Sequence, residues 1–397
     1  MQLQHLRGID EIAAAEWDAL APAGNPFVGH AFLSTLEDSG SATGDTGWQP
    51  LHAVLRDGDR AVAAAPLYAK GHSYGEYVFD HGWADAYRRV GGRYYPKLQV
   101  AVPFTPVPGP RLLGDPRHRA TLAAALVKST DQVGLSSLHV TFCTPEEAEA
   151  LRAAGCLVRR GIQYHWANRG YATFDDFLAE LRSAKRKMIR RERREVGDAG
   201  IEMEVLHGPN LTRRHMEEFF PFYLATVDKR WGSAYLTAEF FSTLADRLAE
   251  RVVLVTARRN GELVAAALNL LGADTLYGRL WGCLEDFRFL HFEACYYQAI
   301  EFAIAHGLAR VEAGAQGTHK LQRGYAPVWT WSAHWIRDPG LREGVRRFLI
   351  QETRELESHI GHLAEMLPYR EAGISVIQST SREACVAPES SAAETTA

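Results

Sequence analysis

Cysteine is scarce and unpatterned in this 397-residue chain. Cys143, Cys156, Cys283, Cys295 and Cys385 are odd in number, scattered, and nowhere spaced C-x-x-C. That excludes a disulfide framework and a zinc knuckle, and it fits a reducing compartment. Also missing is any run near the ~20 apolar residues that a membrane-spanning helix needs. The opening stretch, MQLQHLRGIDEIAAAEW, holds acidic side chains and no apolar core of signal-peptide length. A cytoplasmic protein is therefore the expectation. Neither sign of charge dominates: 44 Lys and Arg face 48 Asp and Glu, for a net charge of −4. This balance excludes a surface that binds nucleic acid everywhere, but it leaves room for a local basic patch.

What is present points to sizeable cores. Hydrophobic residues make up 46% of the chain, and its length exceeds that of one ordinary domain. From about Ser379 the sequence is small and polar, and residues 371–397 are expected to form a disordered tail.

The rest hides a repeat. LHAVLRDGDRAVAAAPLYAK (Leu51–Lys70) and VVLVTARRNGELVAAALNLL (Val252–Leu271) each read as strand, turn, strand, with Asp-Gly and Asn-Gly as the turn signals. Downstream of each comes a helix that runs into Gly-Leu and then a strand: Arg119–Phe142 in the first half, Phe292–Gly314 in the second. Gly134 and Gly307 suit left-handed helix caps. The first half is longer by about thirty residues, which predicts an extra loop around Asp80–Pro116, rich in Gly, Tyr and Pro. The pattern is α–β–β–(β)–α–β, given twice, so the fold class expected is α/β with mixed rather than purely parallel sheets. The boundaries expected are 1–165 and 166–370.

Three constellations carry polar chemistry. In DFRFLHFEACYYQAIEFAI (Asp286–Ile304), Glu293, Tyr297 and Glu301 share a helix face, and a carboxylate in the first helical turn is well placed electrostatically. A plain capping or surface role for Glu293 stays open. His291-Phe-Glu293 matches half of a zinc-deaminase signature, but the P-C-x-x-C half is absent, and no metal site is expected. After the next strand, EAGAQGTHKLQRGYAP (Glu312–Pro327) gathers Glu312, Gln316, His319, Lys320, Arg323 and Tyr325 beside glycines. Loops leaving core strands are where sites are built, and Lys320 and Arg323 suit an anionic group while His319 suits proton transfer. Third, Phe174–Glu195 reads as one helix with an apolar stripe and a dense basic face that includes Arg186, Lys187, Arg190 and Arg191. Crowded like charges cost helix stability, so a phosphate-bearing partner would account for them. A coenzyme A loop of the Q/R-x-x-G-x-G/A type, placed between a strand and a helix, is not found. The one formal match, Arg194–Ala199, follows the basic helix instead.

HFEACYYQAIEFAI, GAQGTHKLQRGYAP, AKRKMIRRERRE and PFTPVPGPRLL (Pro103–Leu113) together resemble the FemAB-like N-acyltransferases of bacteria, over nearly the whole chain up to about Pro368. The resemblance implies tandem GNAT-like acyltransferase domains, in agreement with the repeat. It also implies transfer of an acyl or aminoacyl group to an amine, on a peptidoglycan precursor by analogy with Fem-type ligases. The family's loop reads GAQGEHK where this chain has Thr318, so no acidic role transfers there, and Glu293, Glu312 or His319 is expected as the catalytic base. Gln316, Tyr297, Lys320, Arg323 and Tyr325 are expected to bind substrate, and the basic helix to steer a polyanion. No tightly bound cofactor is expected; the donor is either aminoacyl-tRNA or acyl-CoA. Two other readings stand beside this one: an acyl-CoA-dependent acetyltransferase acting on a small molecule or peptide, and a non-catalytic GNAT-derived binder of RNA or an anionic precursor.

Overall fold

The computed structural model describes residues 1–229, 232–314 and 317–370. The tail expected at 371–397 and Gln316 lie outside the described residues. Among the described residues no helix is long and apolar enough to cross a membrane.

The first half runs β1 (Gln2–Leu6), α1 (Ala14–Asp18), α2 (His30–Asp38), β2 (Trp48–Pro50), β3 (His52–Asp57), β4 (Arg60–Ala65), β5 (Leu67–Lys70), α3 (His81–Arg89), β6 (Lys97–Val100), β7 (Leu113–Gly114), α4 (Arg119–Gln132), β8 (Ser137–Cys143), α5 (Pro145–Ala153) and β9 (Leu157–Ala167). The second runs α6 (Phe174–Glu180), α7 (Ser183–Asp198), β10 (Ile201–His207), α8 (Arg213–Lys229), α9 (Ala238–Leu248), β11 (Val252–Arg259), β12 (Glu262–Leu271), β13 (Thr275–Cys283), α10 (Leu290–Phe292), a π-helical turn (Glu293–Tyr297), α11 (Gln298–Ala305), β14 (Arg310–Glu312), β15 (Ala326–Ile336) and α12 (Pro339–Glu365).

Both predicted hairpins form. In the second, Asn260 and Gly261 have φ of 53° and 81° between the paired Arg259 and Glu262, the two-residue turn that matches strand twist. In the first, the register pairs Asp57 with Arg60, so the turn residues are Gly58 and Asp59 rather than Asp57 and Gly58. Only Gly58, at φ 58°, is left-handed there. Gly134 and Gly307 cap their helices at φ 74° and 63°, as the sequence predicts.

The segment expected as an extra loop is a correction. It holds α3 and β6, and β6 pairs parallel with β8 just as β13 pairs parallel with β14. Each half therefore repeats hairpin, strand, helix and parallel strand. The α-β-β-β-α-β unit was blurred in the sequence because β6 is short and its pairing is long-range.

The sheets are mixed. Strands β1-β3-β4-β7 form a four-stranded sheet. An eleven-stranded sheet crosses both halves in the order β10-β11-β12-β13-β14-β9-β15-β8-β6-β5-β2. The chain leaves the small sheet for the large one at Pro66, which has no N–H to offer a ladder. The halves interlock at the middle, where β15 lies between β8 and β9 and β9 also pairs with β14. They also share a core: Phe32 of α2 meets Phe240 of α9 edge to face, and Arg247 of α9 reaches Ser34 and Asp38 of α2. Burying such rings is worth roughly 1.5–3 kcal/mol each.

The single helix expected over Phe174–Glu195 is two. Leu181 is extended, at ψ 151°, and bridges to Tyr369, while the Arg182 N–H donates to Pro368 O and the Arg370 N–H to Glu180 O. A strand-like clasp with the segment after α12 thus outcompetes helix propensity. Past the break the buried residues of α7 are Ile189, Glu192 and Val196, and Ala184 is exposed.

Candidate functional site

The parallel pair β13–β14 is short. Thr275, Leu276 and Tyr277 face Arg310, Val311 and Glu312, and there the pairing stops. β14 ends at Glu312 while β13 continues to Cys283, so the sheet opens as a fork. On the other side of β13 the register to β12 jumps from Asn269↔Gly278 to Leu268↔Leu280, which leaves Arg279 as the extra residue of a β-bulge. A bulge re-aims its side chain. Arg279 Nη2 donates to Phe104 O of the first half at 2.7 Å, and its guanidinium lies 5.6 Å from the Phe27 ring centre. Phe104 itself has φ 57° and stacks on Tyr235, with 5.0 Å between ring centres.

Glu312 closes the fork. Its carboxyl is buried, and Oε2 has no hydrogen-bond partner among the described residues. Oε1 stands 3.7 Å from Nδ1 of His165, the residue opposite on β9. Burial pushes the Glu312 pKa up to about 8, with Arg310 and Arg279 moderating the rise. Burial, helped by Arg310 and Lys320, pushes His165 down to about 3. A carboxyl that titrates near neutrality thus faces an uncharged imidazole. Lys320, also buried, sits at the same strand end: its Nζ donates to Gly314 O at 2.8 Å, and burial lowers its pKa to about 8.

The other expected residues are engaged elsewhere. Glu293 opens the π-helical turn, a feature frequent at functional sites, and it accepts from Arg193 at 2.9 Å and from Gln298 at 2.8 Å. The Gln298 contact spans five residues, which the wider turn permits. Arg193 also binds Glu301. Arg323 is buried and fully occupied: Nη2 pairs with both oxygens of Glu192, Nε donates to Tyr297 Oη at 2.9 Å, and Nη1 donates to His319 O. Its guanidinium also covers the Phe292 ring at 3.4 Å, and the Tyr297 hydroxyl donates to Glu192. His319 is exposed, with Nε2 2.8 Å from Tyr296 Oη; partial burial and the charges of Lys320 and Arg323 lower its pKa. Tyr325 is buried against Tyr296, and its hydroxyl has no partner among the described residues.

On α7, Arg190 pairs with Asp175 at 2.7 Å and Arg191 with Glu195 at 3.6 Å. Arg186 is half-buried and Lys187 exposed. The structure therefore leaves Glu312 beside His165 and Lys320 on the Gly314 carbonyl just past β14, and it ties Glu293 to α7 through Arg193, and Tyr297 and Arg323 to α7 through Glu192.

Sequence reasoning missed Arg279 and His165, because a bulge and a cross-strand pair leave no local spacing. It also missed a polar cluster in the first half. Lys97 is fully buried, its Nζ 2.8 Å from Glu76, 2.5 Å from Asp80 and 2.9 Å from Ser73 Oγ. Burial would raise the Asp80 carboxyl, but Lys97 and His139 hold it well below its usual range. Burial brings Glu76 up to about 7. His139 Nδ1 is 2.7 Å from His334 Nδ1 on β15. Lys97 lies 17 to 24 residues from its partners and His334 lies 195 from His139, so no local spacing announces them.

Residues 8–371 match a family model described as FemAB-like, peptidoglycan biosynthesis/recognition. A search of curated proteins gives no match. Among solved structures, the chain is similar to FemX at 12% identity, covering 87% of this chain and 100% of FemX with a TM-score of 0.54. It is also similar to L-PGS from Bacillus licheniformis (12% identity, 83% and 98% covered, TM-score 0.49). A tandem GNAT protein from the clavulanic acid biosynthesis pathway follows (14% identity, 85% and 99% covered, TM-score 0.45).

Proposed function

We propose a reaction on the premise that this chain belongs to the FemAB-like family of peptidoglycan biosynthesis/recognition proteins: it is an acyltransferase of tandem GNAT-like fold, and it passes an acyl or aminoacyl group to an amine on a peptidoglycan precursor. The halves taken as its two GNAT-like units are 1–165 and 166–370, and its compartment is the cytoplasm. The observation that carries the site is the buried, unpartnered Oε2 of Glu312 where two parallel strands part. A carboxylate there accepts the proton that the attacking amine must lose. The amine nitrogen forms the new bond to the acyl carbon, and the bond from that carbon to the donor's sulfur or ester oxygen breaks. The leaving group takes a proton from solvent or from protonated Glu312. Lys320, whose ammonium has one described acceptor, stabilises negative charge developing on the carbonyl oxygen. No covalent enzyme intermediate is required.

Glu293, Tyr297 and Arg323 act in this reading as positioning residues, because their polar atoms are already engaged, Glu293 by Arg193 and Gln298, Tyr297 and Arg323 by each other and by Glu192. His319 and Tyr325 both meet Tyr296 and support the wall of the π-helical turn. The donor is aminoacyl-tRNA or acyl-CoA; Arg186, Lys187, Arg190 and Arg191 on one helix favour the longer polyanion. The test is transfer of label from aminoacyl-tRNA, acetyl-CoA or a longer acyl-CoA to an amine-bearing precursor peptide. Glu312→Gln is expected to abolish transfer and leave donor binding intact. Full activity in that variant removes Glu312 from the mechanism, and tRNA binding without transfer to any amine favours the non-catalytic reading.

A further inference from the structure

Arginines near the second-half site are mostly paired: Arg193 with Glu293, Arg310 with Asp274, Arg323 with Glu192. Arg279 differs. It forms no ion pair among the described residues, and its one hydrogen bond there goes to the Phe104 carbonyl. A guanidinium carries several N–H donors in a fixed fork that fits a carboxylate edge-on. The Arg279 side chain is half-buried rather than enclosed, so a ligand can reach it. Holding a largely desolvated cation without an anion is costly, and burial accordingly draws its pKa down to about 10.

Glu312 is the complementary case, with a buried oxygen lacking a partner. Arg279 lies two residues past Tyr277, the residue paired with Glu312, next to Gly278, which packs against the Glu312 carbonyl, and the two side chains form no ion pair among the described residues. They are therefore set apart at the mouth of one fork, a cationic pole on β13 and a carboxyl pole on β14. Phe104, whose carbonyl holds Arg279, stacks on Tyr235, so one residue from each half fixes the arginine's position.

We infer that Arg279 and Glu312 form the acceptor subsite and take an amino-acid head group, an amine with a carboxylate a few bonds away. This rests on the acyl-transfer reading above. The ligand carboxylate lies on Arg279 and its ammonium on Glu312, which then receives the proton that frees the nitrogen to attack. A single guanidinium matches one carboxylate; a diphosphate carries more negative charge than this subsite offsets.

The test titrates the whole protein by calorimetry with lysine, lysinamide, 1,5-diaminopentane and inorganic phosphate. Lysine is expected to bind about ten-fold or more tightly than lysinamide and diaminopentane, and phosphate to compete poorly. Arg279→Met is expected to erase the preference for the carboxylate and keep diaminopentane binding, while Arg279→Lys keeps part of the preference. Equal binding of lysine and diaminopentane, no binding of either, or tighter binding of phosphate overturns the inference, and none of these outcomes needs a variant to fold. Transfer to lysine and diaminopentane at equal KM would sink this subsite and leave acyl transfer standing. A carboxylate preference without any transfer would do the reverse.

Discussion

Glu312 and His165 face each other across adjacent strands, Oε1 to Nδ1 at 3.7 Å, and burial keeps both predominantly uncharged at neutral pH, which for the carboxyl reverses its state in water. The dry strand junction disfavours both ions. The pair is therefore a neutral contact whose balance changes as Glu312 titrates.

That titration has a stability signature. A carboxyl raised in the folded state from about 4.5 to about 8 favours folding while protonated. Its contribution is complete below its unfolded pKa and is lost as pH rises through about 8. Glu312→Gln, which cannot ionise, is expected to escape this loss. Melting temperatures of wild type and variant, compared from about pH 5 to about pH 9, should diverge in favour of the variant on the alkaline side. A constant difference would mean an ordinary carboxylate. Transfer by the wild type should rise through the same range.

The Glu192–Arg323 brace predicts a large structural effect. Glu192→Ala strands a buried guanidinium and frees the Tyr297 hydroxyl, and loss of one partner from such a pair costs about 3–5 kcal/mol. Urea denaturation should report it. A loss below about 1 kcal/mol would place the pair with exposed ones.

The basic face of α7 predicts salt behaviour. Replacing Arg186 and Lys187 by Glu should leave the melting temperature nearly unchanged, since neither has a described ion-pair partner. Affinity for charged tRNA should fall, and its logarithmic salt dependence should flatten by about one unit per lost phosphate contact. An unchanged slope would take these residues out of polyanion binding.

The first-half cluster predicts asymmetry between its members. Lys97→Ala leaves Asp80 and Glu76 buried without their cation and should cost about 3–5 kcal/mol. Glu76→Gln should cost far less, because its carboxyl already titrates near pH 7. Equal losses would contradict the assignment of Lys97 as the centre.

The local parts of this fold were legible in sequence. Asn260-Gly261 announces its turn, Gly134 and Gly307 announce helix ends, and Glu312, Lys320 and the glycines between them announce a polar strand end. What was hidden depends on partners distant in the chain. Leu181 breaks a helix that propensity favours because Tyr369 lies alongside. Arg323 reads as a free cation until Glu192, 131 residues away, is seen on it. Arg279 gains its direction from a mismatch between two strands, and β6 reads as loop until β8 is placed beside it.

The place of β15 between β8 and β9 bears on how the protein is made. During synthesis the ribosome must reach Ile336 before those two strands lose their bare edges, so a half-made chain presents unsatisfied backbone along both. Such edges invite pairing with neighbouring nascent chains. Chaperone retention until β15 emerges, and aggregation of a gene fragment stopped before it, follow from that one placement.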